Sequence, residues 1–356
     1  MLQIQGLVEG LTPARGAGPD RLGGGYDEVA GLLDAALSEL RLDCVALYAK
    51  CTQVGYRSAL PFLASHPAAL GPDSRPGALR RVIDHLHARG VRAGAIVQIH
   101  RYDATAWGDE AVWWRDDTAQ PSSAVAAADR PEFRRRLRQA LHELVTLFPD
   151  LDLIFLEGEP FTAEVLAGPL RSWLAAKGLS FESPGDDLTY DSEIARTTSA
   201  LGVPLDATWS TEGLALGVDL TRAAMEVAEE TFEDADWHGI RGLVYPADGP
   251  SARFTPVAAA GEPWWLVPRI ETGRESAKSQ ARRRAARQHL LHVRQNGNRA
   301  CAIVELDPSQ SHAAAVEARE LTSLAAEQLD GLLVSAQGVP QARVLRRLKD
   351  EGGLAS

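Results

Sequence analysis

The stretch LDLIFLEGEP, Leu151 to Pro160, constrains the fold more than any other part of the chain. A mostly apolar run leads straight into two carboxylates, Glu157 and Glu159, and Pro160 ends it. A strand that reads as a continuous apolar run is buried on both faces, as in a parallel sheet covered by helices. Acids placed where such a strand stops lie at its C-terminal edge. In a barrel of alternating strands and helices that edge carries the chemistry.

The rest of the sequence repeats the pattern. Short β-type runs alternate with longer helical ones, the signature of a parallel α/β fold. Strands are expected at Leu2–Leu7, Cys44–Ala49, Arg92–Ile99, Leu151–Leu156, Gly242–Tyr245, Trp264–Ile270, Cys301–Leu306 and Leu332–Ser335. Between them, Tyr26 to Leu40 places Val29, Leu32, Leu33, Ala36 and Leu37 at helical spacing. The helix before the third strand ends at Gly90, a suitable residue just past a C-terminus. The helix before the fourth opens with Pro131, where a missing N–H costs nothing.

Eight such strands make a single-domain (β/α)8 (TIM) barrel spanning residues 1–356. A ninth candidate, Val203 to Ser210, is read as part of an insertion after the fourth strand, about Gly178 to Gly217. The competing fold is an open doubly wound sheet. No Gly-rich phosphate loop follows an early strand, which weighs against it.

Composition narrows the partners. A net charge of −11 opposes a nucleic-acid backbone as the main ligand. Arg282, Arg283, Arg284 and Arg287 lie in a helical stretch and read as a solvated face. Cys44, Cys51 and Cys301 are odd in number and lack metal-ligand spacing, so no metal and no disulfide framework is expected. No apolar run is long enough for a membrane span, and the first residues lack the pattern of a signal peptide. A cytoplasmic protein is the expectation. The oligomeric state is left open.

Polar groups gather where the expected strands end. Lys50 and Tyr56 follow the second strand, His100 and Tyr102 the third, and Glu157 and Glu159 the fourth. Glu271 follows the sixth, and Glu305 closes the seventh. Acids, a histidine and aromatics such as Trp264 suit a carbohydrate, whose hydroxyls take paired hydrogen bonds and whose faces pack on rings. No cofactor is implied.

Glu157, Glu159, Glu271 and Glu305 are the candidate catalytic acids. Lys50, Tyr56, His100, Tyr102 and Trp264 are the candidate substrate contacts. Each has a structural alternative. Glu157 fits an ion pair as well as a catalytic role. Lys50 fits a paired lysine, or a Schiff-base nucleophile of an aldolase or lyase. Trp264 and Trp265 are neighbours on a strand, so one of them faces the core. A barrel that binds sugar without turnover stands beside the hydrolase reading.

Val45 to Tyr102 resembles the α-L-fucosidase-like group of barrel glycoside hydrolases. The likeness rests on YAKC at Tyr48 to Cys51, Gly55-Tyr56, SHP at Ser65 to Pro67, Asp73, and HARGVRAGAIVQIH. In that group the fourth strand delivers the nucleophile, so the resemblance implies that role for Glu157. The group carries Asp at that place. GEP at Gly158 to Pro160 also looks like the Asn-Glu-Pro of the large retaining β-glycosidase clan, with Gly in place of Asn. That likeness implies Glu159 as acid/base and Glu305 as nucleophile. Glycoside cleavage needs two carboxyl groups, about 5 to 5.5 Å apart for retention and about 6.5 to 9.5 Å for inversion. Two acids on one strand rarely flank a bond from opposite sides, so the partner of Glu157 is sought on another strand, at Glu271 or Glu305.

Overall fold

The computed structural model describes residues 2–7, 26–39, 42–66, 77–99, 101–107, 113–115, 121–126, 131–157, 214–246, 264–270, 293–294, 298–306, 330–337, 346–347 and 350. Ten strands lie among them. Eight are parallel: β1 (Leu2–Leu7), β2 (Cys44–Lys50), β3 (Arg92–Gln98), β6 (Leu153–Glu157), β7 (Ile240–Pro246), β8 (Trp265–Ile270), β9 (Arg299–Leu306) and β10 (Gly331–Gln337). Each expected strand is present, within a few residues at its ends. Their hydrogen-bonded order runs β1-β2-β3-β6-β7-β8-β9-β10 and back to β1, a closed barrel. The proposed insertion and the Val203 to Ser210 segment lie outside the described residues.

One element was not anticipated. β4 (Trp113–Arg115) and β5 (Pro121–Ala126) form a separate antiparallel pair between the third and fourth barrel strands.

Helices α1 (Tyr26–Glu39), α2 (Gly77–His87), α4 (Pro131–Leu147) and α5 (Leu214–Asp234) lie between barrel strands, with a short α3 (Ala104–Trp107) after β3. α4 begins at Pro131 as expected and buries Phe133, Leu137, Ala140, Leu141, Leu144 and Val145, a stripe at helical spacing. Its outer face meets α5 through Arg134–Glu226 and Arg138–Glu230 ion pairs. After α2, Gly90 adopts a left-handed φ of 69°, which a residue without Cβ takes at no steric cost. None of the described helices is long and apolar enough to cross a membrane.

The barrel is a packed core rather than a pore. Cys44, Ala46, Tyr48, Ile96, Leu153, Phe155, Val244, Trp265, Val267, Cys301 and Leu333 form one buried cluster. On β2, β6 and β8 these residues recur at every second position, the period that sends alternate side chains to one face. Two glycines make the filling of β6 fit. Leu153 lies against Gly94 of β3, and Phe155 against Gly242 of β7, each pair in strand register. A Cβ on Gly242 would sit 1.9 Å from the Phe155 ring, and one on Gly94 would sit 2.4 Å from Leu153. The two large side chains occupy the space those glycines leave.

Burial also sets the thiols. It pushes Cys44 and Cys301 from an ordinary 9.0 up to about 12, with smaller electrostatic contributions. The folded protein keeps these protons where the unfolded chain releases them, so their contribution to stability is lost as pH rises from about 9 toward 12. Urea midpoints at pH 8 and pH 10 are expected to fall less in a Cys44→Ala/Cys301→Ala variant than in the wild type. Equal falls in both would exclude the thiols as a source of alkaline instability.

The strand N-termini are laced together at the opposite end from the expected site. The Asp152 carboxylate accepts from the Ala93 N–H at 2.8 Å, and Asp330 accepts from the Ala300 N–H at 2.9 Å. The Trp237 indole donates to the Leu151 carbonyl at 3.0 Å.

Candidate active site

Glu157 ends β6 and is 4% exposed. It continues the alternation of Leu153 and Phe155, so its side chain enters the barrel above that packed layer. The Tyr48 hydroxyl makes a bifurcated hydrogen bond to its carboxylate, 2.9 Å to Oε1 and 2.8 Å to Oε2. The Gln98 side-chain amide donates to Oε2 at 2.9 Å. Gln98 and Glu157 are direct register partners on neighbouring strands. A carboxylate taken out of water is costly unless donors meet it; here donors come from β2 and β3. Burial pushes the Cys51 thiol up to about 12, and the nearby Glu157 carboxylate adds to the rise.

Neither Tyr48 nor Gln98 was among the expected site residues. Tyr48 lies inside β2 and Gln98 is the last residue of β3, where polar side chains look like ordinary strand residues. The strand period holds the missing signal: Tyr48 follows Cys44 and Ala46 onto the inner face.

Lys50, a candidate substrate contact or Schiff-base lysine, is 2% exposed and donates its hydrogen bonds to backbone carbonyls. Its Nζ donates to Gln98 O at 2.7 Å, Arg101 O at 2.5 Å and Cys51 O at 3.3 Å. The cause is a bulge in β2. Tyr48 pairs with Ile96, yet Lys50 pairs with Val97, so two residues of β2 pass against one of β3. The bulge puts Lys50 out of step with Tyr48 and into register with the outer-face position of Val97. Lys50→Met is therefore expected to cost about 2–3 kcal/mol through unsatisfied carbonyls, measured by urea unfolding. Full stability with abolished turnover would return Lys50 to the substrate.

Two aromatic candidates are also structural. Tyr102 is fully buried, with the Lys50 ammonium 3.7 Å from its ring centroid and Trp107 edge-on at 4.1 Å. Arg136 lies over the Trp107 ring and donates to the Trp107 carbonyl, tying this wall to α4. Tyr56 is buried against Phe148 and hydrogen-bonded to Glu143 on α4; burial first, and then Glu143, holds its hydroxyl well above the usual range. The same glutamate accepts from the Ser58 hydroxyl and the Ala59 N–H.

Trp264 is misplaced by the sequence reading in a different way. It precedes β8, so it lies at the N-terminal end of the barrel, away from the mouth. Its ring is fully buried, and its indole donates to Glu229 of α5 at 2.8 Å.

His100, Glu159 and Glu271 lie outside the described residues. Glu305 lies on β9 in register with Ser335 of β10, four residues beyond Cys301 and therefore of the same strand parity. Among the described residues, no group of three or more His, Cys, Asp or Glu is placed to hold a metal ion.

A closed parallel barrel with a hydrogen-bonded carboxylate at the C-terminal end of a strand has the layout of barrel enzymes, whose chemistry sits on that rim. Solved structures narrow the fold. The PgaB (BpsB) glycoside hydrolase domain from Bordetella bronchiseptica is similar over 97% of this chain and 98% of that one, at 13% identity and a TM-score of 0.57. Alpha-L-fucosidase isoenzyme 2 from Paenibacillus thiaminolyticus is similar over 99% of this chain but 48% of its own, at 13% identity and a TM-score of 0.56. A beta-galactosidase from the psychrophilic Marinomonas ef1 is similar over 98% of this chain and 58% of its own, at 10% identity and a TM-score of 0.56. No protein-family model and no curated protein matches the sequence. The chain has a glycoside-hydrolase-like barrel fold. At these identities the likeness is one of fold.

Proposed function

We propose that this protein is a glycoside hydrolase built on a (β/α)8 barrel, with Glu157 as one of its two catalytic carboxylates. The observation that carries the reading is the Glu157 carboxylate, held by Tyr48 and Gln98 at the C-terminal end of β6. A hydroxyl and an amide both donate to it, an arrangement that suits a group acting as nucleophile or base. The proton donor then comes from another strand. Glu305 is the favoured partner: β6 and β9 are the fourth and seventh strands around the ring, and Glu305 shares the parity of Cys301. Glu159 and Glu271 are the remaining candidates. A general acid and a carboxylate facing each other across a barrel mouth meet the requirement of glycoside cleavage. The fold likeness to a fucosidase, a galactosidase and the PgaB domain supports a carbohydrate as the substrate class.

The test is a panel of chromogenic α- and β-glycosides, including aryl fucosides and galactosides, with oligosaccharide binding measured in parallel by calorimetry. Release of the aryl group from one member is expected, and it names the sugar. Binding of a sugar with no release from any member would overturn the hydrolase reading in favour of a barrel that only binds.

A further inference from the structure

We infer that Tyr48 and Gln98 are positioning residues that fix the angle and depth of the Glu157 carboxylate in the barrel mouth; the inference rests on the catalytic reading of Glu157. Three features support it. The two donors come from different strands, so they restrain the carboxylate from two directions. The Tyr48 hydroxyl spans both oxygens, which opposes rotation about the last side-chain bond. Both donors are themselves held: Tyr48 is 4% exposed within the interior cluster, and the Gln98 carbonyl accepts from Lys50.

The Lys50 bridge gives the arrangement its base. One ammonium joins the residue after β2 to the end of β3 and to the loop beyond, at Cys51, Gln98 and Arg101. Its other face lies over the Tyr102 ring. The backbone that carries Gln98 is thus pinned from outside while its side chain reaches inside. The strand period sends Tyr48 to the carboxylate, and the bulge after it sends Lys50 to the carbonyls.

Tyr48→Phe and Gln98→Met test the proposal on the glycoside that the wild type cleaves. Displacing a reacting group by about an ångström costs on the order of 100-fold. Tyr48→Phe is expected to lower kcat by about 10- to 100-fold with KM nearly unchanged, and Gln98→Met to lower it less. In a Glu157→Gln background neither should lower kcat further. Wild-type kcat in both single variants, or a change confined to KM, would overturn the positioning role. If Glu157→Gln itself keeps wild-type turnover, the catalytic reading fails instead. A crystal structure of Tyr48→Phe reads the role without turnover. The carboxylate should leave its position between Tyr48 and Gln98, and an unmoved carboxylate overturns the inference.

Discussion

Glu157→Gln is expected to lower turnover by about 100- to 10,000-fold, the range for loss of a group that transfers a proton or attacks in the rate-limiting step. The fold should survive. Glutamine matches glutamate in size, its amide oxygen can accept from the Gln98 N–H, and the Tyr48 hydroxyl can turn to donate or accept. Steady-state kinetics on the cleaved glycoside, beside urea unfolding of the same samples, separates chemistry from stability. If the variant keeps its activity, Glu159 and Glu305 become the better pair. If it loses activity and stability together, Glu157 acts mainly as a structural carboxylate.

Phe155→Ala is expected to destabilise the protein by about 3–5 kcal/mol, the cost of emptying a fully buried phenyl site. The ring lies in the interior cluster directly below Glu157 and fills the space beside Gly242. Gly242→Ala should destabilise from the other direction, by about 1–3 kcal/mol, because the new methyl meets the ring. The two changes are complementary in volume. The double variant should therefore be more stable than the sum of the single effects by about 0.5–3 kcal/mol, as for residues in direct contact. Simple additivity in urea unfolding would mean that the barrel rearranges around this layer.

Most of the barrel strands were legible because they are compact apolar runs of the kind that burial on both faces requires, as CVALYA and LIFLE are. LIFLE and CVALYA could hardly be placed anywhere else. The β4–β5 pair was not legible: WWR is three residues long, and PSSAVA carries small and polar residues without a strong alternation. Glu157 was legible because an acid at the end of such a run needs a reason.

Its partners were hidden for a physical cause. Tyr48 and Gln98 look like ordinary strand residues until the neighbouring strands are put in register, and register is a long-range property. Lys50 was misread because a bulge adds one residue and inverts the facing of everything after it. Nothing in YAKC announces that extra residue. Trp264 was misread by direction: an aromatic before a strand falls at the opposite end of the barrel from one after it.

The closed order of the sheet has a consequence in time. β1 is bonded on one side to β2 and on the other to β10, with Leu2 opposite Val334. At roughly 5–20 residues per second of synthesis, the first strand waits about 15–70 seconds for its second neighbour. Through that interval one edge of the growing sheet has no strand to bond, the condition that invites pairing with another chain. The hydrogen-bond ladder that closes the ring joins Leu2 to Val334, residues far apart in the order of synthesis. Until it forms, the ring above which Glu157 sits is incomplete.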